Sequence, residues 1–245
     1  MSTLFSVNLN KLALIRNSRG TDYPNLLYFV KKLIDLGVKG FTVHPRPDER
    51  HIRYQDVYDI SEFLQDYKDI EFNIEGNPNE RFLELIQEVK PHQCTLVPDS
   101  VDQLTSDHGY DIINHKDMLS KLTAEMQAFG TRCAVFVDPD IKQIEAAINS
   151  GVQTVEIYTE EWARAYENGH NDKFDEVKQR FSDCIKLATQ NGVRVNAGHD
   201  LNLDNLADLL SLGDVTEVSI GHAFTVESLE QGMDNVVRQY LAICA

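Results

Sequence analysis

Short apolar runs recur eight times along the chain, and longer segments with a different hydrophobic period separate them. The runs are rich in Val, Ile, Phe and Thr, the residues that favour β-strands. Their length and composition therefore predict eight short, buried strands. The predicted strands cover residues 4–9, 40–43, 71–74, 94–97, 134–137, 155–158, 193–196 and 215–220.

The segments between the runs show the period of amphipathic helices. From Leu26 to Ile34, apolar residues recur at i, i+3, i+4 and i+7, which predicts one buried helical face. Thr21–Pro24 supplies a capping residue and a proline suited to the first turn, and Gly37 is a typical C-terminal cap. Similar patterns predict helices at 56–66, 79–89, 115–129, 140–150, 173–191, 202–211 and 225–243.

Strands that alternate with helices predict a parallel sheet joined by right-handed crossovers. Eight such units in 245 residues are typical of a closed (β/α)8 TIM barrel, and we expect residues 1–245 to form a single domain of this α/β class. A doubly wound open sheet is the alternative. No G-x-G-x-x-G or G-x-x-x-x-G-K-[ST] motif follows a predicted strand, so the usual nucleotide-binding loops are absent from the sequence.

The net charge of the chain limits the kinds of ligand or macromolecule that it is expected to bind. The chain has 39 acidic and 23 basic residues, a net charge of −16, which argues against binding to nucleic acid or to an anionic membrane. Residues 1–53 differ, because they hold nine Lys or Arg and only four acidic residues. This local positive charge indicates a small anionic ligand, with chance clustering on a solvated face as the alternative.

Targeting features and cysteines indicate the compartment. No apolar run reaches the roughly 18 residues of a membrane span. Met1–Phe5 lacks the basic start of a signal peptide. The four cysteines form no C-x-x-C motif, so we expect neither a disulfide framework nor a zinc knuckle. These features predict a cytoplasmic protein.

Polar residues cluster where the predicted strands end, and the C-terminal ends of the strands carry the active site of a TIM barrel. Three of the eight histidines stand directly at strand ends, and His51 lies in the loop after the second strand. This convergence predicts an active site. The strand-end residues are Asn8, Asn10, Lys11, His44, Arg46, Glu75, Asp99, Asp138, Glu156, Asn196, His199, Asp200, Gly221 and His222.

Two groups of residues are suited to binding phosphate. The loops after the seventh and eighth strands of barrels often hold phosphate, and here they carry Gly198–His199 and Gly221–His222. A second candidate anion site comprises Arg19, Arg46 and His51. Two anion sites that face each other predict an enzyme that joins two phosphorylated fragments. His44 and Glu75 are the natural groups to move protons between them.

Two other functions remain open at this point. A metal-assisted hydrolase could take zinc ligands from His44, Glu75, Asp138, His199 and His222. However, the sequence has no H-x-H or H-E-x-x-H motif. The other alternative is a non-catalytic barrel that binds a phosphorylated ligand, although a binder has no use for His44 together with Glu75.

Several motifs resemble those of one enzyme family. R-N-x-R-G-T spans residues 16–21, R-x-D-x-R-H-I spans residues 46–52 and N-A-G-H spans residues 196–199, a highly specific combination. Further matching blocks are Val7–Lys11, Thr42–Pro45, Asn73–Glu75, Lys90–His92, Leu96–Pro98 and Ile220–Ala223. In this order, from residue 4 to the C-terminus, the chain resembles pyridoxine 5′-phosphate synthase.

The resemblance implies a fold, a reaction and an assembly. It implies a TIM barrel with extra helices that condenses 1-deoxy-D-xylulose 5-phosphate with 3-amino-2-oxopropyl phosphate. The products are pyridoxine 5′-phosphate, phosphate and water, in the biosynthesis of vitamin B6. Such a ring-forming transferase works by acid–base catalysis without a metal or an organic cofactor. The resemblance further implies a homo-octamer built from dimers.

The resemblance also assigns roles to individual residues. His44 and Glu75 correspond to proton acceptors, His199 to the proton donor, and Glu156 to a glutamate that supports the transition state. Contacts with the deoxyxylulose substrate fall on Arg46, His51 and Thr105. Contacts with the aminooxopropyl substrate fall on Asn8, Arg19, Gly221 and His222. Thr105 lies in a long polar loop that resembles the closing lid of the family.

The chain departs from the family pattern at several positions. Asn10 and Lys11 replace an Asp and a His that are substrate contacts in many members. Asp200 replaces a Gly whose backbone contacts phosphate, and Tyr158 replaces the His of a common E-I-H-T-G motif. Because an inward carboxylate would repel phosphate, we expect Asp200 to point away and cap the following helix. These changes indicate a divergent branch with an intact set of proton-moving residues.

Overall fold

All eight predicted strands form in the computed structural model, which describes residues 2–99, 106–169 and 171–245. Each strand is parallel to the next along the chain, and the first also pairs with the last, so the sheet is a closed barrel rather than an open one. The strands are β1 (Leu4–Asn8), β2 (Gly40–Val43), β3 (Glu71–Gly76), β4 (Gln93–Leu96), β5 (Arg132–Val137), β6 (Thr154–Tyr158), β7 (Arg194–Gly198) and β8 (Glu217–Ile220).

Helices surround the barrel, and some of them were not predicted from periodicity. The helices are α1 (Asn10–Asn17), α2 (Leu26–Asp35), α3 (Tyr54–Leu64), α4 (Glu80–Val89), α5 (Ile112–Ala128), α6 (Ile141–Ser150), α7 (Glu160–Glu167), α8 (Asp172–Gln190), α9 (Leu206–Leu210), α10 (His222–Gln231) and α11 (Met233–Cys244). Short helices α1 and α7 are the extra ones. The segment expected as one helix, 225–243, is two, because Gly232 has a left-handed φ of 84° between them.

The start of α2 differs from the prediction. Its N-terminal cap is Asn25, whose side chain accepts a hydrogen bond from the backbone of Tyr28, so Thr21 lies outside the helix. The predicted end is correct, because Gly37 follows the last turn with a φ of 102°.

The barrel interior is polar. Ser6 and Thr42 share a hydrogen bond of 2.8 Å, and Asn73 joins Thr42 to Thr95. TIM barrels usually fill this space with branched apolar side chains. The apolar residues of these strands instead alternate with the polar ones and pack under the helices, as the period of a strand requires.

Two further features concern targeting and redox state. Across the described ranges, no helix combines the length and apolar character needed to cross a membrane. The four cysteines are buried and carry free thiols.

Candidate active site

A cavity of about 530 Å³ lies at the C-terminal ends of the strands. Its position agrees with the place where TIM barrels carry their chemistry. The predicted site residues that line it are Asn8, Asn10, Lys11, His44, Arg46, His51, Glu75, Glu156, His199, Asp200, Gly221 and His222. The structure therefore brings most of the predicted site together in one space.

The four candidate proton-moving residues reach this cavity from different sides. His44 follows β2 and Glu75 lies near the end of β3, and their nearest side-chain atoms, Nδ1 and Oε2, are 3.9 Å apart. Glu156 lies in β6, and His199 directly follows β7. Since β3 and β7 are four strands apart in a ring of eight, His199 faces Glu75 across the barrel.

His44 is held as a neutral base. Burial, and next the charge of Arg46, lower the pKa of His44 well below its ordinary value. Its backbone N–H donates to Oδ1 of Asn10 at 2.9 Å, and the N–H of Asn10 donates to Oδ1 of Asn8. Asn8 at the end of β1 and Asn10 at the start of α1 therefore fix the backbone that carries this histidine.

Two carboxyl groups, those of Glu75 and Glu156, line the same cavity as His44. Burial raises the pKa of Glu75 well above its ordinary value, and the nearby charge of Glu156 adds to the effect. Burial and Glu217 raise the pKa of Glu156 to about 8. Gly198 makes room for Glu156, because a Cβ at that glycine would lie 2.3 Å from Oε1 of the carboxylate.

One candidate anion site lies after β2. Arg46 is buried against Asp99 with an N–O distance of 3.1 Å, and Ser106 donates to the same carboxylate at 2.7 Å. His51 accepts the backbone N–H of Ile52 on Nδ1 at 2.9 Å, which places the proton of a neutral ring on Nε2. Burial and Arg46 lower the pKa of His51 to about 4, so this ring is a neutral hydrogen-bond donor.

The other candidate anion site lies after β8, where Gly221 precedes the first residue of α10, His222. The backbone N–H groups of a helix N-terminus favour an anion at this position. The sequence assigned this site to the loops after β7 and β8 together, and those loops lie three and two strands from β2 in the ring. That the two anion sites face each other stays a prediction.

The prediction that Asp200 points away and caps a helix is wrong. Asp200 lines the cavity, and its Oδ2 lies 2.7 Å from Nδ1 of His199. Both residues have left-handed backbone conformations, with φ of 84° for His199 and 57° for Asp200, which turn the two side chains toward each other. The next helix begins six residues later, at Leu206.

Two other predicted residues, Arg19 and Asp138, lie elsewhere. Arg19 is exposed and is not among the residues that line the cavity. Thr105 lies outside the described residues. Asp138, a candidate metal ligand, accepts the backbone N–H of Gly109 at 3.0 Å. In the parts of the chain that the structure describes, no three His, Cys, Asp or Glu side chains are arranged to hold a metal ion.

The structure adds residues that the sequence prediction left without a role. Asp99 pairs with Arg46, and Arg50, Ser106 and Ser219 line the cavity. Asp99 follows a predicted strand, so the sequence could identify it as a candidate site residue. Its pairing with Arg46 could not be predicted, because Arg46 is more than 50 residues away in the sequence.

Comparisons with known proteins agree with this geometry. Residues 5–245 match the family described as pyridoxal phosphate biosynthesis protein PdxJ. A pyridoxine 5′-phosphate synthase of Christiangramia forsetii is 44% identical over 242 residues, which are 98% of this chain and 99% of the relative. Another of that name from Porphyromonas gingivalis is 45% identical over 239 residues, 97% of each chain.

A solved structure from Aquifex aeolicus VF5 is similar in fold, with a TM-score of 0.64 at 16% identity over 99% of this chain and 92% of that one. That likeness concerns the barrel alone. The family match and the relatives extend over nearly the whole sequence, and they include the strand-end segments that build the cavity. This chain therefore belongs to the family of the pyridoxal phosphate biosynthesis protein PdxJ.

Proposed function

We propose that this chain is an enzyme that condenses 1-deoxy-D-xylulose 5-phosphate with 3-amino-2-oxopropyl phosphate and forms pyridoxine 5′-phosphate, phosphate and water. One observation carries the proposal. A single cavity unites four proton-moving side chains, His44, Glu75, Glu156 and His199, with two groups suited to binding phosphate. The names of the relatives support the same product. Nothing in the described residues favours a metal-assisted hydrolase or a non-catalytic binder.

The reaction needs several proton transfers. The amine of one substrate adds to the ketone of the other with loss of water, phosphate then leaves, and ring closure with loss of a second water gives the aromatic ring. The neutral His44 accepts protons on one side, Glu75 accepts one once its carboxyl group has ionised, and His199 donates from across the barrel, each transfer contributing about 10²–10⁴-fold. Glu156, with a pKa of about 8, is protonated near neutral pH and supports the transition state as a hydrogen-bond donor.

The substrates are placed by the two phosphate-binding groups. In this proposal Arg46, His51 and Thr105 contact the deoxyxylulose substrate. The aminooxopropyl substrate contacts Asn8, Gly221 and His222, whereas Arg19, which is exposed and is not among the residues that line the cavity, has no substrate contact in this proposal. Asn10, Lys11 and the backbone of Asp200 complete the substrate contacts. The scheme uses no metal and no organic cofactor.

The substitution Glu75→Gln tests the proposal. Chelator-treated protein is mixed with both substrates, and product is followed by mass and absorbance. We expect wild-type protein to form product only when both substrates are present. Glu75→Gln should abolish turnover while calorimetry still detects binding of the phosphorylated substrates.

The matched control is Glu84→Gln, which changes an exposed glutamate on α4 and should keep wild-type turnover. Turnover of Glu75→Gln within a few-fold of wild type would remove Glu75 from the mechanism. No product from wild-type protein that still binds a substrate would contradict the proposed reaction.

We also propose that residues 1–245 act as one domain and that the enzyme works in the cytoplasm as a homo-octamer built from dimers. Free, buried thiols support a reducing compartment. The oligomer rests on the resemblance to the family. Light scattering coupled to size exclusion should give the mass of eight chains, and a monomer mass would refute the assembly.

A further inference from the structure

The imidazole of His199 contacts a carboxylate on one side and an aromatic ring on another. Oδ2 of Asp200 lies 2.7 Å from its Nδ1 atom. The ring of Tyr158 meets the imidazole edge to face, with centroids 5.0 Å apart and an angle of 80° between the planes. Tyr158 packs in turn against Phe136 at 5.2 Å. Two of the positions at which this chain departs from its family pattern thus contact the same imidazole.

The backbone that presents this pair is fixed as well. The hydroxyl of Thr159 donates to the carbonyl groups of Gly198 and His199. The side-chain amide of Asn205 donates to the carbonyl of Asp200 at 3.1 Å. Consecutive left-handed residues are costly and persist only where the surroundings hold them. The short side-chain contact is therefore built into the fold.

The chemistry of the contact decides which ring nitrogen carries a proton. The hydrogen bond from His199 lowers the pKa of Asp200, so this carboxyl group is ionised at neutral pH. An ionised carboxylate only accepts hydrogen bonds. Nδ1 must then be the donor, and Nε2 is the second ring nitrogen of an imidazole at which a proton can be exchanged.

We propose that Asp200 is a positioning residue for His199, whose carboxylate holds the imidazole with a proton on Nδ1 and so assigns Nε2 to proton exchange in the cavity. This inference rests on the proposed function, in which His199 donates a proton. Asp200 itself need not touch the reacting atoms.

Two substitutions separate the hydrogen bond from the charge. Asn and Gly are the residues that tolerate a left-handed backbone, so both Asp200→Asn and Asp200→Gly should fold. Asn can still accept from Nδ1, whereas Gly removes the acceptor. Asp204→Asn is the matched control, because it removes one negative charge from an exposed position in the same loop.

The first measurement is the tautomer of His199, read by NMR of ¹⁵N-histidine-labelled protein. The signal is assigned with His199→Asn, at a pH where the ring is neutral. We expect Nδ1–H in wild type, Asp200→Asn and Asp204→Asn, and a shift toward Nε2–H in Asp200→Gly. Retention of the wild-type tautomer in Asp200→Gly would overturn the proposal, whether or not the protein makes pyridoxine 5′-phosphate.

The second measurement is steady-state kinetics. Loss of one orienting hydrogen bond should lower kcat of Asp200→Gly by about tenfold. KM for both substrates should change much less, because the role concerns proton transfer rather than binding. Asp200→Asn should retain more of kcat than Asp200→Gly. A change confined to KM, or equal losses of kcat in the two variants, would contradict a positioning role.

Discussion

At the scale of single residues, Asn10 shows how a departure from the family pattern can keep a structural role. Its Oδ1 accepts the backbone N–H of His44 and so ties the end of β1 to the end of β2. An aspartate at this position offers the same acceptor atom. The exchange of Asp for Asn therefore preserves the tie and removes a negative charge from the cavity wall.

We expect Asn10→Ala to lower the free energy of unfolding by about 1 kcal/mol or somewhat more, because the N–H of His44 loses its partner. Asn10→Asp should cost little, since it keeps the acceptor and adds a negative charge at the first residue of α1. Chemical denaturation of the three proteins measures both effects. Equal losses in the two variants would show that the acceptor is not what stabilises this site.

At the scale of elements, α1 and α3 are joined by a buried ion pair. Arg16 contacts both carboxylate oxygens of Asp56, at 2.6 and 2.7 Å, and the same carboxylate accepts the N–H of Arg53 at the start of α3. Next to the pair, the side chain of Asn17 donates to the carbonyl of His51 at 2.7 Å. The end of α1 thus holds the loop that carries a candidate phosphate ligand.

Asp56→Asn should cost about 3–5 kcal/mol of stability, because it leaves a buried guanidinium without its counter-charge. It should also raise KM for the deoxyxylulose substrate through the loosened loop at His51. Asp35→Asn breaks the exposed pair with Lys31 and should cost about 1 kcal/mol or less. Denaturant unfolding checks both. A similar cost for the two variants would mean that burial of the Arg16 pair adds nothing.

At the scale of the whole molecule, the closed barrel buries ionisable side chains in its interior, and Glu217 is one of them. Burial, and next the charge of Glu71, raise the pKa of Glu217 to about 7. Gln93 and Asn196 donate to its carboxylate at 3.3 and 3.1 Å. The folded state therefore binds a proton on Glu217 between pH 4.5, its ordinary pKa, and about 7, where the unfolded state does not.

This difference makes stability fall as the pH rises through that window. Below it the carboxyl group is protonated in both states, and above it the folded state bears the cost of a buried charge. Glu217→Gln should reduce the slope of the free energy of unfolding against pH by up to about 1.4 kcal/mol per pH unit. Glu230→Gln, at an exposed position, should leave the slope as in wild type. Denaturant unfolding curves between pH 5 and 8 measure this slope for each protein. A slope in Glu217→Gln equal to that of wild type would show that Glu217 does not cause the pH dependence.

The sequence alone determined the eight strands and the edge of the barrel that carries the site. Both follow from local information, because apolar runs identify strands and all parallel strands end at the same edge. The residues after each run, such as His44 and His199, were therefore identifiable as site residues before any contact was known. Helix boundaries were predicted less accurately where a single residue determines them, as at Gly232, which divides α10 from α11.

Only the tertiary structure decided what these residues contact. The pairing of Arg46 with Asp99 joins distant parts of the chain, and the shifted pKa values of Glu75 and Glu156 depend on burial inside a closed barrel. The contact of Asp200 with His199 depends on two left-handed φ angles that no hydrophobic pattern encodes. Periodicity specifies which elements form, whereas protonation and orientation come from long-range contacts and backbone turns that exist only in the folded chain.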